Sequence, residues 1–197
     1  PNNTLYIRKR NFYRFYLSVY FILFFLYFFF NSDINLFSGN SMNKIDIGSR
    51  IPAFTLPDQN GRMVDISSMI GKKNMVIYFY PKDDSPGCTK EACSFRDQYE
   101  IFRMADAEII GISSDDVESH KQFANKHNLK YILLSDEGNI VRNLFGVPSN
   151  LFGLIAGRVT YIVDKQGIVI HTFNSQMQAE KHIEESIKAL KNISDSN

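Results

Sequence analysis

Both cysteines of this 197-residue chain, Cys88 and Cys93, lie in one short stretch, Pro81-Lys-Asp-Asp-Ser-Pro-Gly-Cys-Thr-Lys-Glu-Ala-Cys93. Paired thiols can cross-link a structure, bind a metal or turn over as a redox couple. Cys88 falls where a helix is predicted to open, from Thr89 to about Arg103. Unpaired backbone N–H groups and the positive end of the macrodipole favour a thiolate there. Cys93, five residues on, is placed to capture whatever that thiolate becomes. Redox chemistry at sulfur is the expectation. A zinc site needs about four ligands, and His120, His127, His171 and His182 show no ligand spacing with the cysteines. No Cys-x-x-Cys marks a dithiol reductase, and no Gly-x-Ser-x-Gly marks a hydrolase.

A reactive thiol at a helix start needs a strand to aim it and a scaffold to hold both. Met75–Tyr80, just upstream, is a continuous apolar run, as expected of a strand buried on both faces. Further strands are predicted near Phe54–Leu56, Met63–Ile66, Glu108–Ser113, Tyr131–Leu134, Val159–Val163 and Ile168–Thr172. Helices are predicted near Val117–His127, Asn139–Phe145 and Ala179–Lys191. Asp164-Lys-Gln-Gly167 reads as the turn between two strands, with Gly167 supplying a positive φ. Strands interleaved with helices argue an α/β sandwich. Hydrophobic content of 44% and charged content of 22% are those of an ordinary globular protein. A net charge of +1 carries no electrostatic footprint for nucleic acid.

Pro81, Ser85 and Cys88 fit the Pro-x-x-x-Thr/Ser-x-x-Cys pattern, and the chain here resembles the peroxiredoxins, thiol peroxidases on a thioredoxin-like fold. The likeness runs from Lys44 to Lys191. It takes in Pro-Ala-Phe-Thr-Leu-Pro-Asp-Gln-Asn-Gly at 52–61, Gly111-Ile-Ser-Ser114 and Gly157-Arg-Val-Thr-Tyr-Ile-Val-Asp164. The position of Cys93 is similar to that of the resolving cysteine in the peroxiredoxin Q, or bacterioferritin-comigratory, branch. Phe145-Gly-Val-Pro-Ser-Asn-Leu-Phe-Gly153 and Gln178-Ala-Glu-Lys-His-Ile183 look most like plant plastid members. Many members carry threonine where this chain has Ser85, so the hydroxyl is kept and a methyl is lost.

The resemblance implies a thioredoxin-like fold with a central mixed sheet flanked by helices, over residues 46–193. It implies that Cys88 is the peroxidatic thiol and Cys93 the resolving one. Ser85 and Arg158 would hold thiolate and peroxide, Pro81 would shield the sulfur, and Glu91, one helical turn beyond Cys88, is added as an orienting group. Taken alone, Arg158 reads as a surface ion-pair residue and Glu91 as a solvated acid at a helix start. The implied substrates are hydrogen peroxide and alkyl hydroperoxides, with thioredoxin or a similar dithiol as reductant. No metal or other cofactor is implied, and a monomer is expected.

Residues five apart on an intact α-helix are offset by about 7.5 Å along the axis and roughly 140° around it. Their Cα atoms then lie about 8.6 Å apart, beyond the ~7 Å reach of a disulfide. A Cys88–Cys93 bond therefore demands local unwinding, and a strain-free structural cross-link is disfavoured.

The first residues differ from the rest. Arg8, Lys9, Arg10 and Arg14 precede an uncharged, mostly apolar run over 15–32. This pattern is that of a signal peptide or signal anchor over 1–30, followed by a polar linker over 31–45. The expected location is an organelle reached by the secretory route, a plastid of secondary origin being one such. A secreted or membrane-anchored protein is the alternative, with association through 15–32 if that run is retained. Two other classes of function fit the same residues: a redox-dependent binding protein whose unwinding helix exposes an apolar surface, and an anchored redox sensor.

Overall fold

The computed structural model describes residues 44–150 and 155–194. The apolar run over 15–32 and most of the linker lie outside them. The central sheet has five strands in the order β5-β4-β3-β8-β9. These are β3 (Asn74–Phe79), β4 (Ala107–Ser113), β5 (Ile132–Ser135), β8 (Val159–Val163) and β9 (Val169–Asn174). β3, β4 and β5 run parallel, whereas β8 lies antiparallel to β3, and β9 to β8. The sheet is mixed, as the resemblance implied.

All six residues of β3 are buried, and their alternation sorts them between two cores. Val76 and Tyr78, with Tyr80 just beyond, face one core beside Phe95, Phe102, Phe123 and Leu190. Met75, Ile77 and Phe79 face the other, beside Ile66, Val141, Phe145 and Tyr161. Four helices supply the first core: α1 (Pro86–Asp97), α2 (Tyr99–Met104), α3 (Val117–His127) and α5 (Ala179–Ser194). The second is covered by the hairpin of β1 (Thr55–Pro57) and β2 (Met63–Asp65), a 3-10 turn at Ile66–Met69, and α4 (Ile140–Leu144). A small hairpin pairs β6 (Ser149–Asn150) with β7 (Ile155–Ala156). Gly167 has φ +79° in the β8–β9 turn, where Gly167 N donates to Asp164 O at 3.0 Å.

One prediction needs correcting. The helix expected over Thr89–Arg103 is two helices, and it starts three residues earlier. Pro86 occupies the first helical position, where a missing N–H goes unneeded and a fixed φ suits the turn. Near the far end the Ser94 hydroxyl bonds back to Lys90 O at 2.8 Å, a contact that bends helices. One turn on, Gln98 leaves helical geometry at φ −101°, ψ 9°, and α2 resumes at Tyr99. Cys88 thus sits in the first turn of α1.

Candidate active site

Strand β3 ends at Phe79, and the loop from Tyr80 to Ser85 carries the chain to α1. The residues α1 buries are Cys88, Glu91, Ala92 and Phe95, one face at helical spacing. That face aims Cys88 at the end of the neighbouring strand. In the register Phe79 pairs with Val159, so Arg158 lies beside the point where β3 gives way to the loop. Arg158 is 3% exposed and Cys88 1%. Arg158 Nη2 donates to Cys88 Sγ at 3.2 Å, and its Nη1 donates to Glu91 Oε2. A guanidinium so placed stabilises negative charge on the sulfur.

Two glycines make this approach possible. A Cβ on Gly87 would lie 3.2 Å from Arg158 Nη2, and one on Gly157 would collide with Pro148 O. Each removes a side chain from where the guanidinium or its backbone must pass.

Glu91 is fully buried, not a solvated helix-start acid. Burial pushes its carboxyl up to about 8, against the opposing pull of Arg158. Among the described residues its Oε1 has no hydrogen-bond partner, which deepens the penalty on the charged form. The nearest imidazole, His182, has Nδ1 at 3.6 Å from that oxygen. His182 Nε2 meets the carbonyl of Ser175 at 2.9 Å, and Nδ1 meets Thr160 Oγ1 at 2.7 Å. The carbonyl can only accept, so Nε2 carries the proton and Nδ1 accepts from the Thr160 hydroxyl. Burial drives His182 down to about 4, so it is neutral beside Arg158.

The other predicted residues take different places. Pro81 is half-buried where the loop leaves Tyr80. Ser85 caps α1 by position without a side-chain cap bond; its hydroxyl donates instead to Lys82 O at 3.0 Å. Cys93 lies in α1 with Cys88, half-buried, and both thiols are free. The helix between them is continuous.

One residue escaped sequence reasoning. Arg142, in α4, is 6% exposed. Its Nη1 donates to Gly157 O at 3.0 Å and its Nη2 to Tyr80 O at 2.9 Å. It thereby joins the residue before Pro81 to the residue before Arg158. It also lies close enough to Cys88 for the thiolate to favour its charged form, although burial wins and lowers its basicity. Its helix pattern gave no signal, because a lone arginine in a short amphipathic stretch reads as solvated.

The site can therefore hold an anionic sulfur at a helix start, out of water and beside a guanidinium. The model of the AhpC/TSA family matches residues 47–172. The chain is 53% identical over 156 residues to "Peroxiredoxin Q, chloroplastic" of Triticum aestivum, covering 79% of this chain and 71% of that one. It is similar to the solved structure of peroxidoxin BcpB from Mycobacterium tuberculosis, at TM-score 0.71 and 34% identity, covering 76% and 98% of the two chains. The Xanthomonas campestris bacterioferritin comigratory protein follows at TM-score 0.67 and 29% identity, covering 75% and 98%. Thiol, guanidinium, fold and relatives agree: the chain belongs to the AhpC/TSA family, in its peroxiredoxin Q branch, and is a thiol-dependent peroxidase.

Proposed function

We propose that Cys88 is the peroxidatic thiolate and Cys93 the resolving thiol, in a cycle that ends in a Cys88–Cys93 disulfide. The observation that carries this reading is the 3.2 Å contact from Arg158 Nη2 to Cys88 Sγ at a buried helix start. Sulfur attacks one peroxide oxygen, the O–O bond breaks, and the leaving alkoxide or hydroxide takes a proton. Arg158 stabilises the charge that passes from sulfur to the leaving oxygen. Ser85 Oγ, three residues from Cys88, would exchange its bond to Lys82 O for one to a bound peroxide. Pro81 limits water at the sulfur, and Glu91 keeps the guanidinium aimed.

The sulfenic acid on Cys88 then condenses with Cys93, releasing water. A thioredoxin-type dithiol reopens the bond once the first turn of α1 has unwound. Hydrogen peroxide and small alkyl hydroperoxides are the substrates; alkyl peroxide reduction is ascribed to the Xanthomonas campestris relative. The plant relatives are chloroplastic, and with the basic and apolar N-terminal pattern this supports a plastid destination through the secretory route.

The test is stopped-flow oxidation of the purified chain, with thioredoxin turnover and mass mapping of the product. Peroxide consumption should vanish in Cys88→Ser. Cys93→Ser should form the sulfenic acid once and stall. A Cys93→Ser protein that fails to oxidise at all would reverse the role assignment.

A further inference from the structure

Cys93 has surroundings of its own. Its Sγ lies 3.9 Å from His127 Nδ1, within reach of an S–H···N hydrogen bond. The far nitrogen of that ring, Nε2, meets Asp84 Oδ1 at 3.1 Å. The three groups come from three elements: Cys93 from α1, His127 from the last turn of α3, and Asp84 from the loop just ahead of α1. A carboxylate at Nε2 fixes the proton on that nitrogen and leaves the Nδ1 lone pair facing the thiol. This is the thiol–imidazole–carboxylate order that activates a nucleophile.

We propose that His127 is the general base for Cys93, with Asp84 as the residue that positions its imidazole. The proposal rests on the reading of Cys93 as the resolving thiol and adds the group that deprotonates it.

Packing and backbone contacts add to these bonds. It stands edge-on to Phe123 at 5.0 Å between centroids. The His127 carbonyl accepts from Arg96 Nη1 at 2.7 Å, which ties the end of α3 to the turn of α1 after Cys93. Asp84 has φ +53°, a left-handed conformation that costs an aspartate energy. Lys126 Nζ, at 2.9 Å from Asp84 Oδ1, helps to hold it there. The titratable and charged groups around the pair are Arg96 on α1, Tyr131 before β5, Lys126 on α3 and Asp84 on the loop.

The step balances without an external oxidant or reductant. His127 Nδ1 takes the proton from Cys93 Sγ. The resulting thiolate attacks Cys88 Sγ, the S–S bond forms and the S–OH bond breaks. Hydroxide leaves with the electron pair and takes the proton from His127, giving water and the neutral imidazole. Cys93 sulfur is oxidised, and the sulfenic sulfur of Cys88 is reduced. The base stands on α3, outside the helix that must open, so Cys93 can be activated while the first turn of α1 carries Cys88 toward it.

The experiment treats the reduced full chain with one equivalent of hydrogen peroxide across a pH series. Sulfenic acid is trapped with dimedone, and the disulfide is followed by mass spectrometry. Wild type, His127→Phe, His127→Gln, Asp84→Asn and Cys93→Ser are compared. Both His127 variants should make the sulfenic acid at the wild-type rate, which also shows that they fold. At pH 7 their disulfide should form about tenfold more slowly, since an unassisted thiol is mostly protonated there. The deficit should close toward about pH 9, where such a thiol ionises unaided. Asp84→Asn should show the same pattern to a smaller extent. The longer-lived sulfenic acid should also give more sulfinic acid under excess peroxide.

A wild-type pH profile in both His127 variants, with the Cys88–Cys93 bond still formed, would overturn the base and leave the resolving role standing. So would an equal slowing at every pH, which marks a structural role only. Absence of that bond in the wild type would overturn the resolving role and the base with it.

Discussion

One guanidinium serves two acidic groups here, and the balance between them governs the site. Arg158 touches Cys88 Sγ and Glu91 Oε2 at once. If both were fully charged, each would weaken the hold of the cation on the other. Burial lifts the Glu91 carboxyl to about 8. Below that pH it keeps its proton, and the charge of Arg158 is left for sulfur. Glutamine imitates this protonated form. Glu91→Gln should therefore oxidise within about threefold of the wild type at pH 7. The two should diverge above pH 8, where only the wild type gains a competing anion. Glu91→Ala, which strips Nη1 of its buried acceptor, should be slower at every pH. Stopped-flow rates of Cys88 oxidation from pH 6 to 9 separate these outcomes; glutamine and alanine behaving alike would mean that the charge itself is required. The Pro81–Ser85–Cys88 pattern and the family resemblance singled out Cys88 and Arg158 in the sequence, whereas Glu91 taken alone read as a solvated acid and its burial against Arg158 emerges only in the fold. Arg142 was not legible, because its role exists only after folding brings the carbonyls of Tyr80 and Gly157 to it.

The loop that delivers Cys88 is held by a polar cluster with no sequence signature. Asp83 is 6% exposed. Its carboxylate accepts from Tyr80 Oη at 2.7 Å and Ser119 Oγ at 2.8 Å, and it meets His120 Nδ1 at 2.8 Å. The backbone N–H of Asp83 donates to Asp115 Oδ2 at 2.9 Å, and His120 Nε2 donates to Leu134 O at 3.1 Å. Loop, β5 and α3 are thereby joined at one carboxylate. Asp83→Ala would take the carboxylate from the buried Tyr80 hydroxyl and His120 ring and from the half-buried Ser119 hydroxyl, and should cost about 3 kcal/mol of stability. It should also slow oxidation, since the loop sets the sulfur opposite Arg158; denaturant melts and peroxide kinetics measure the two effects. Full stability in the variant would show that the cluster is not holding the loop. The elements themselves were largely readable: the continuous runs of β3 and β4, the helical spacing of α3 and the β8–β9 turn all report local physics. What failed was the extent of α1. Its early start depends on Pro86 reading as a first helical residue, and its early end on a bend that apolar spacing does not record.

At the scale of the whole molecule, the proposed Cys88–Cys93 bond would trade a new covalent link against the packing of α1. In the reduced form Phe95 stacks on Tyr78 at 4.8 Å between centroids. Tyr131 Oη donates to Ala92 O at 3.0 Å, and Cys88 and Ala92 are each 1% exposed. The helix is intact, so the two Cα atoms stand about 8.6 Å apart, too far for a bond. Closing a loop this short contributes only about 2 kcal/mol through the unfolded chain. Against this stand the hydrogen bonds of the first turns, the buried side chains of Cys88 and Ala92, and the Arg158 contacts to Cys88 and Glu91. Losing a single buried polar contact of that kind costs about 1–3 kcal/mol, and several go together. The oxidised protein should therefore melt below the reduced one, the reverse of the usual effect of a disulfide. The second core, which holds no residue of α1, should stay protected together with the strands that line it. Paired calorimetric melts of the peroxide-treated and fully reduced chain test the sign, and hydrogen exchange tests the location. Protection should be lost at the amides of residues 87–93 and kept in β3 and β8. An oxidised form with the higher melting temperature would mean that α1 re-forms around the bond, and a reductant would then face a closed disulfide instead of an open one.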